Sequence, residues 1–223
     1  MSVPDYMAVE CGVASRPLRG EVESGDLHSV IAQPTGALIT VVDGLGHGYE
    51  AAVAAKTAIV TLTAQAHQPI AVLVKSCHQA LIKTRGVAMC IASLEWRGET
   101  MTWASIGNVA AVLLRRDREG RLGREHVFMR NGVVGHRLPP LRVMTLGIQR
   151  GDLLIFATDG LRDGFYSNVD PDERPQDSAD RMLAEYGKTH DDALVLVARW
   201  NGPPTAGERE GVVPTKRADP QAK

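Results

Sequence analysis

Residues 37–55, ALITVVDGLGHGYEAAVAA, constrain the chain most. An apolar, β-branched run ends at one acid, Asp43. Gly44, Gly46 and Gly48 follow, and then a helical pattern of small residues begins. β-Branched residues suit strands, and glycine adopts backbone angles that other residues resist. The stretch reads as strand, tight turn, helix, with Asp43 presented at a strand end and backbone carbonyls able to approach a ligand. GDLLIFATDGLRDG, residues 151–164, repeats the plan and places Asp159-Gly160 at the end of a second apolar run. Asp191-Asp192 stands directly before a third run, ALVLVARW. Acids at three strand ends, far apart in sequence, would form a site for a hard, oxygen-seeking cation if the fold gathers them.

The rest of the chain supplies the elements for such a fold. A strand is expected over Tyr6–Ser15, then a loop with Pro17, Gly20 and Gly25, then a strand opening at Asp26. Pro34 ends that strand, and Thr35-Gly36 turns it back into ALITVVD. In this hairpin Asp26 opens one strand and Asp43 closes the other, so both lie at the same end. Helical spacing of Ala51, Ala52, Ala55, Ile59 and Leu62 predicts one helix, and Pro69 starts a second with Leu73, Cys77, Ala80 and Leu81 on one side. From Val87 the pattern turns to strands: AMCIASLEW and ETMTWASIG around Arg97-Gly98, Val109–Arg115, and HVFMR after a charged turn. Residues 137–148 read as an irregular, proline-bearing surface loop. Asp152–Thr158 reads as a buried strand, Gly160–Tyr166 as a short helix, Ala179–Tyr186 as a helix and Ala193–Trp200 as the last strand. Such grouping predicts a strand-rich α+β sandwich flanked by helices, because a doubly wound fold would alternate strand and helix throughout.

The 223 residues, 44% of them hydrophobic, suffice for one core. We expect a single domain over residues 1–200 and a disordered tail over 201–223, where prolines, glycines and charges show no periodicity. With a formal net charge of -1, nothing in the sequence suggests the basic stripe that nucleic-acid binding requires. Cys11, Cys77 and Cys90 are scattered and form no CxxC pair, so a disulfide framework is not expected. No apolar run reaches the ~20 residues of a membrane span, and acids stand where a signal peptide carries basic residues. A cytoplasmic protein with no membrane contact is the expectation.

Asp-Gly by itself is a common turn dipeptide, and any one of these acids alone carries only that meaning. The joint pattern of Asp26, Asp43, Asp159 and Asp191 says more, because bunched carboxylates repel unless a cation offsets them. Oxygen donors without clustered Cys or His favour Mg²⁺ or Mn²⁺ over zinc. Ser105, Cys77 and His78 form no nucleophile arrangement, so covalent catalysis is not expected.

Taken together, Ser24-Gly25-Asp26, Val41-Val42-Asp43-Gly44-Leu45-Gly46-His47-Gly48, Ala157-Thr158-Asp159-Gly160-Leu161 and Asp191-Asp192-Ala193 resemble the successive motifs of the metal-dependent type 2C protein phosphatases, in their bacterial SpoIIE-type branch. The order and spacing match over roughly residues 5–200, and the chain is most like the small stand-alone phosphatase of the stressosome. The resemblance implies a four-layer α-β-β-α sandwich with two central, mainly antiparallel sheets. It implies two sites for Mn²⁺ or Mg²⁺: Asp43 bridging both ions, Gly44 contributing its carbonyl, Asp159 and Asp191 completing one ion's shell, and Asp26 serving the other. Asp43, Asp159 and Asp191 are thereby the catalytic residues, acting through metal and activated water on phosphoserine or phosphothreonine. Phosphorylated STAS-domain stressosome proteins are the implied partners, and resetting a stress signal the implied role. Three departures accompany the match. Arg16 and Arg19 precede Asp26 too loosely to inherit the phosphate-holding arginine of the eukaryotic enzymes. His47 stands three residues after Gly44 as a candidate general acid. Asp192 occupies a position that is often Asn and is expected behind the ligands. The competing function is a catalytically weak binding module of the same fold, docking on a phosphoprotein; retention of every matching acid argues against it. A hydrolase of small phosphate esters or nucleotides lacks a P-loop or dinucleotide fingerprint to support it.

Overall fold

A computed structural model describes residues 9–117 and 119–203. Two sheets form its centre. The first has the order β1 (Val9–Arg16), β11 (Ala193–Trp200), β10 (Leu153–Ala157), β6 (Ala110–Arg116), β7 (Leu122–His126). The second runs β2 (Asp26–Gln33), β3 (Gly36–Gly44), β4 (Val87–Glu95), β5 (Thr100–Ile106), β8 (Met129–Arg130), with β9 (Met144–Gly147) also on β5. All pairings are antiparallel except β5 with β8.

Side-chain alternation sets the layers, since successive strand residues point to opposite faces. In β3, Ala37, Ile39 and Val41 enter the core between the sheets, where Trp103, Phe156 and Trp200 are fully buried. Leu38 and Val42 face the other way, against α1 (Tyr49–Ala64) and α2 (Ile70–Ala80). In β11, Leu194, Leu196 and Trp200 enter the inter-sheet core, while Ala193, Val195 and Val197 pack with Ala179 and Met182 of α3 (Pro175–Tyr186). The result is the four-layer α-β-β-α sandwich. Small residues let its layers close: buried Ala51, Ala54, Ala55 and Ala58 lay α1 on the second sheet.

Four expectations need correction. Residues 137–148 contain a strand, β9, which pairs with the β5 edge and whose Thr145 hydroxyl meets that of Thr102 at 3.0 Å. Tertiary pairing overrides the prolines there, which precede it at 139 and 140. The returning strand is β7, which begins at Leu122 within the charged turn; after His126 the chain leaves the first sheet, and Met129-Arg130 joins the second. Gly160–Tyr166 is a set of turns rather than a helix, with Leu161 bridging Gly187 and Gly164 at a positive φ of 84°. The third helix starts at Pro175, not Ala179, because its polar first turn has its own task. Gln176 accepts from the Val13 N–H at 3.0 Å and donates to the Val13 carbonyl at 2.9 Å, closing the free edge of β1. Gly12 makes room for this: a Cβ there would stand 2.1 Å from the Gln176 nitrogen. The early part of the first expected strand and residues 204–223 of the expected tail lie outside the described residues. Among the described residues no helix is long and apolar enough to cross a membrane.

The inter-sheet layer has one direct test. Phe156→Ala should lower stability by about 3–5 kcal/mol in urea unfolding, the usual cost of deleting a buried aromatic ring. A loss below about 1 kcal/mol would mean that this layer does not hold the sheets together.

Candidate active site: carboxylates gathered at one end of the sandwich

β2 opens at Asp26 and β3 closes at Asp43-Gly44, and the antiparallel register sets Asp26 directly opposite Asp43. In the other sheet Asp159 follows the end of β10, and Asp191-Asp192 precedes the start of β11. Thr158 ties the two pairs together. Its hydroxyl donates to Asp26 Oδ2 at 2.7 Å and accepts from the Leu194 N–H at 2.9 Å. The sheets are therefore joined by a hydrogen bond at the end where their acids meet.

Each acid has a distinct setting. Asp192 is buried, and its two oxygens accept from the Leu18 N–H at 2.7 Å and the Gly25 N–H at 2.8 Å. It fixes the loop that delivers Asp26. Asp159 is exposed, and its Oδ2 accepts from Asn108 Nδ2 at 2.7 Å. Asp191 Oδ1 accepts from the Asp192 N–H at 2.9 Å. The glycines serve packing: a Cβ on Gly44 would stand 2.2 Å from the Ala51 carbonyl of α1, and one on Gly160 would stand 1.8 Å from the Asp192 carbonyl. Gly46 and Gly48 take positive φ values of 87° and 72°, which turn the chain from Asp43 into α1.

His47 lies on that turn but faces Glu21, with Nδ1 2.8 Å from Oε1, and is exposed. Arg16 is engaged elsewhere too, its guanidinium donating to the Lys188 carbonyl. Sequence reasoning missed three contributors. Asn108 was legible only as a turn residue beside Gly107, whose φ is 89°. Thr158 stood inside a recognised motif with no sign of its inter-sheet bond. Lys188, whose Nζ donates to the Asp159 carbonyl at 2.5 Å, carried no sequence signal.

The electrostatics are those of crowded, desolvated carboxylates. Burial raises Asp26 to about 7; the Thr158 hydrogen bond partly opposes this, and Asp192, Asp159 and Asp191 add to it. Burial and then the neighbouring charges of Asp26, Asp159, Asp191 and Asp192 raise Asp43 to about 8. Asp191 is raised by burial and by Asp159. None of the ion pairs among the described residues involves these five acids. Nor do three His, Cys, Asp or Glu side chains there converge into a ready-made metal cage. The two facts agree, because like charges spread the side chains that the backbone has gathered. An all-oxygen donor set with unbalanced negative charge fits Mg²⁺ or Mn²⁺.

A family model described as Stage II sporulation protein E (SpoIIE) matches residues 33–201. The chain belongs to the SpoIIE family of type 2C protein phosphatases. Asp43, Gly44, Asp159 and Asp191 lie within the matched span, and Asp26 precedes it. By family and fold this is a protein serine/threonine phosphatase. A structure from work on the bacterial stressosome, as a modular system adapted to control secondary messenger signalling, is 27% identical with a TM-score of 0.77, over 86% of this chain and 99% of that one. RsbX in complex with magnesium is 20% identical with a TM-score of 0.76, over 89% and 98%. The catalytic domain of the serine/threonine phosphatase PstP with two manganese ions is 19% identical with a TM-score of 0.62, over 86% and 97%. No curated protein matches the chain.

The raised carboxylates predict a pH signature. A folded-state value of about 7 or about 8 against the ordinary 3.8 means that protonation favours the folded state. The stability these two groups contribute is full below pH ~4 and is lost as pH rises through their folded values. In chelator, Asp43→Asn should therefore melt close to wild type at pH ~4 or below and above it at pH ~8. Identical melting temperatures at both pH values would show that Asp43 is not strained by its neighbours.

Proposed function

We propose that this chain removes phosphate from serine or threonine side chains of a partner protein, using two divalent cations, Mn²⁺ or Mg²⁺. The observation that carries this is the register of Asp26 against Asp43, joined through Thr158 to the strand ends that bear Asp159 and Asp191. Asp43 would serve both ions with the Gly44 carbonyl beside it, Asp159 and Asp191 would complete one ion's shell, and Asp26 would serve the other. Bound there, the cations supply Lewis acidity: they acidify water and offset the charge of the phosphoryl group.

The chain's own groups set the geometry for that chemistry. Thr158 holds one oxygen of Asp26, Asn108 holds one oxygen of Asp159, and Asp192 pins the Leu18–Gly25 loop. Carboxylates braced in this way would hold the cations in position, so that little rearrangement is needed when charge develops on the phosphoryl group. The partner we propose is a phosphorylated STAS-domain protein of a cytoplasmic stressosome, whose dephosphorylation resets a stress signal. Supporting this are the likeness to RsbX and the 27% identity to a structure from stressosome work.

Hydrolysis of an aryl phosphate with Mn²⁺, with Mg²⁺ and with chelator tests the reading. Wild type should turn over only with metal. Asp43→Ala should lose about 10³-fold or more, corresponding to several kcal/mol of lost charge stabilisation. Turnover in chelator, or near wild-type turnover in Asp43→Ala, would overturn the assignment; no turnover with any metal would leave a phosphoprotein-docking module. His47 is a candidate general acid by position, and its Nδ1 is held by Glu21. A general acid is worth about 10²–10⁴-fold, so if the Glu21 contact is the whole of its role, His47→Ala should reduce kcat less than about fivefold on the same ester.

A further inference from the structure

We infer that a groove along residues 128–142 receives an acidic segment of the phosphoprotein substrate, close in sequence to the phosphorylated residue. The inference rests on the phosphatase reading above. The groove encloses about 440 Å³ and is lined in part by Phe128, Arg130, Arg137, Leu138, Pro139 and Pro140. Arg142 stands over the Phe128 ring at 4.6 Å and Arg130 over it at 5.9 Å. The ring itself is 45% exposed, Arg142 is exposed and Arg130 half-buried, so the two guanidinium groups share an apolar support at the surface. Among the described residues no ion pair involves Arg130, Arg137 or Arg142. Other described cations also stand outside ion pairs, Arg19 and Arg97 among them, but here three fall within thirteen residues and two share one aromatic ring. In a chain of net charge -1, three cations without acids on one short segment mark a local positive surface.

The groove adjoins the acids. β8 lies beside the end of β5, and the Gly107 N–H donates to the Arg130 carbonyl at 2.8 Å. The next residue, Asn108, holds Asp159. Strands β3, β4, β5 and β8 are successive neighbours, so Arg130 is about three strand spacings, ~14 Å, from the Asp43 strand. An extended peptide covers that distance in about four residues. The wall is preformed. Val133 and Arg137 exchange main-chain hydrogen bonds at 2.9 and 2.9 Å, Val134 bridges Val87, and the Gly135 N–H donates to His78 Nδ1 at 2.9 Å. A Cβ on Gly132 would stand 2.5 Å from Pro139 Cδ, so this segment is packed against itself. Apolar walls between fixed cations suit a peptide with acidic and apolar residues better than a lipid surface or a nucleic-acid backbone, which call for a broad basic face.

Two phosphothreonine peptides, identical except for Glu or Lys at three to five residues from the phosphothreonine, are compared under Mn²⁺ with an aryl phosphate as control. Wild type should prefer the Glu peptide about tenfold in kcat/KM, mainly through KM, as three exposed charge pairs allow. The preference should fall with added salt. The variant Arg130→Gln/Arg137→Gln/Arg142→Gln should lose it while keeping aryl phosphate turnover and melting temperature. Arg137→Gln alone, whose side chain makes no hydrogen bond or ion pair among the described residues, should reduce it if the triple variant does not fold. A wild type without preference, or a folded variant that retains it, overturns the inference. So does a variant that keeps the peptide preference but loses binding to phosphatidylserine vesicles, since the patch would then be a membrane contact. Aryl turnover with no peptide discrimination defeats this inference alone; no metal-dependent turnover on any substrate defeats the phosphatase reading.

Discussion

Like-charge repulsion among half-buried carboxylates is the constraint on which the rest of this structure turns. Asp26 and Asp43 face each other across β2 and β3, with Asp159, Asp191 and Asp192 acting on them electrostatically. Left to themselves such groups would move apart or take up protons. They remain together because each is attached to the end of a strand whose interior is deeply apolar. A shift of register in β3 by one residue would exchange Ile39 and Val41 with Leu38 and Val42 across the sheet, and the two cores forbid it. The apolar cores thus hold charge where charge alone would not settle.

The same logic explains the polar bonds around the site. Thr158 links the sheets where the acids gather, Asp192 ties down the loop that delivers Asp26, and Asn108 braces Asp159. Each directs a carboxylate oxygen or the backbone behind it. Burial of Asp26 and Asp43 with unbalanced charge costs stability in the chain alone, a common property of functional sites. A divalent cation held there, as proposed, would relieve that cost.

The fold itself tolerates wide variation in sequence. These solved structures match 86–89% of the chain at 27% identity or below, so the sandwich persists across large changes of sequence. Arg16, which could have been a phosphate hand, is committed to the Lys188 carbonyl. Three cations that hold no acid among the described residues cluster instead on residues 128–142, at the edge of the sheet that carries Asp43. A scaffold that fixes metal chemistry at one strand end leaves partner choice to the loops beside it.

The amino-acid sequence by itself determined the strand ends, because short continuous apolar runs that stop at Asp43-Gly44 and Asp159-Gly160 are local patterns. It also determined that Asp26 and Asp43 share an end, since a hairpin at Thr35-Gly36 allows no other arrangement. The ordered motifs were enough to name the family, and with it the four layers. Only the tertiary structure decided what depends on contacts distant in the chain. β9 became a strand because β5 offered it an edge, and residues 126–130 divide between two sheets for a similar reason. The third helix begins at Pro175 because Gln176 is needed to close β1, which no local propensity records. Asn108, Thr158 and Lys188 meet the acids across 51, 132 and 29 residues of chain. Sequence patterns report a residue's neighbours along the chain; these contacts exist only once two sheets have packed and brought their ends together.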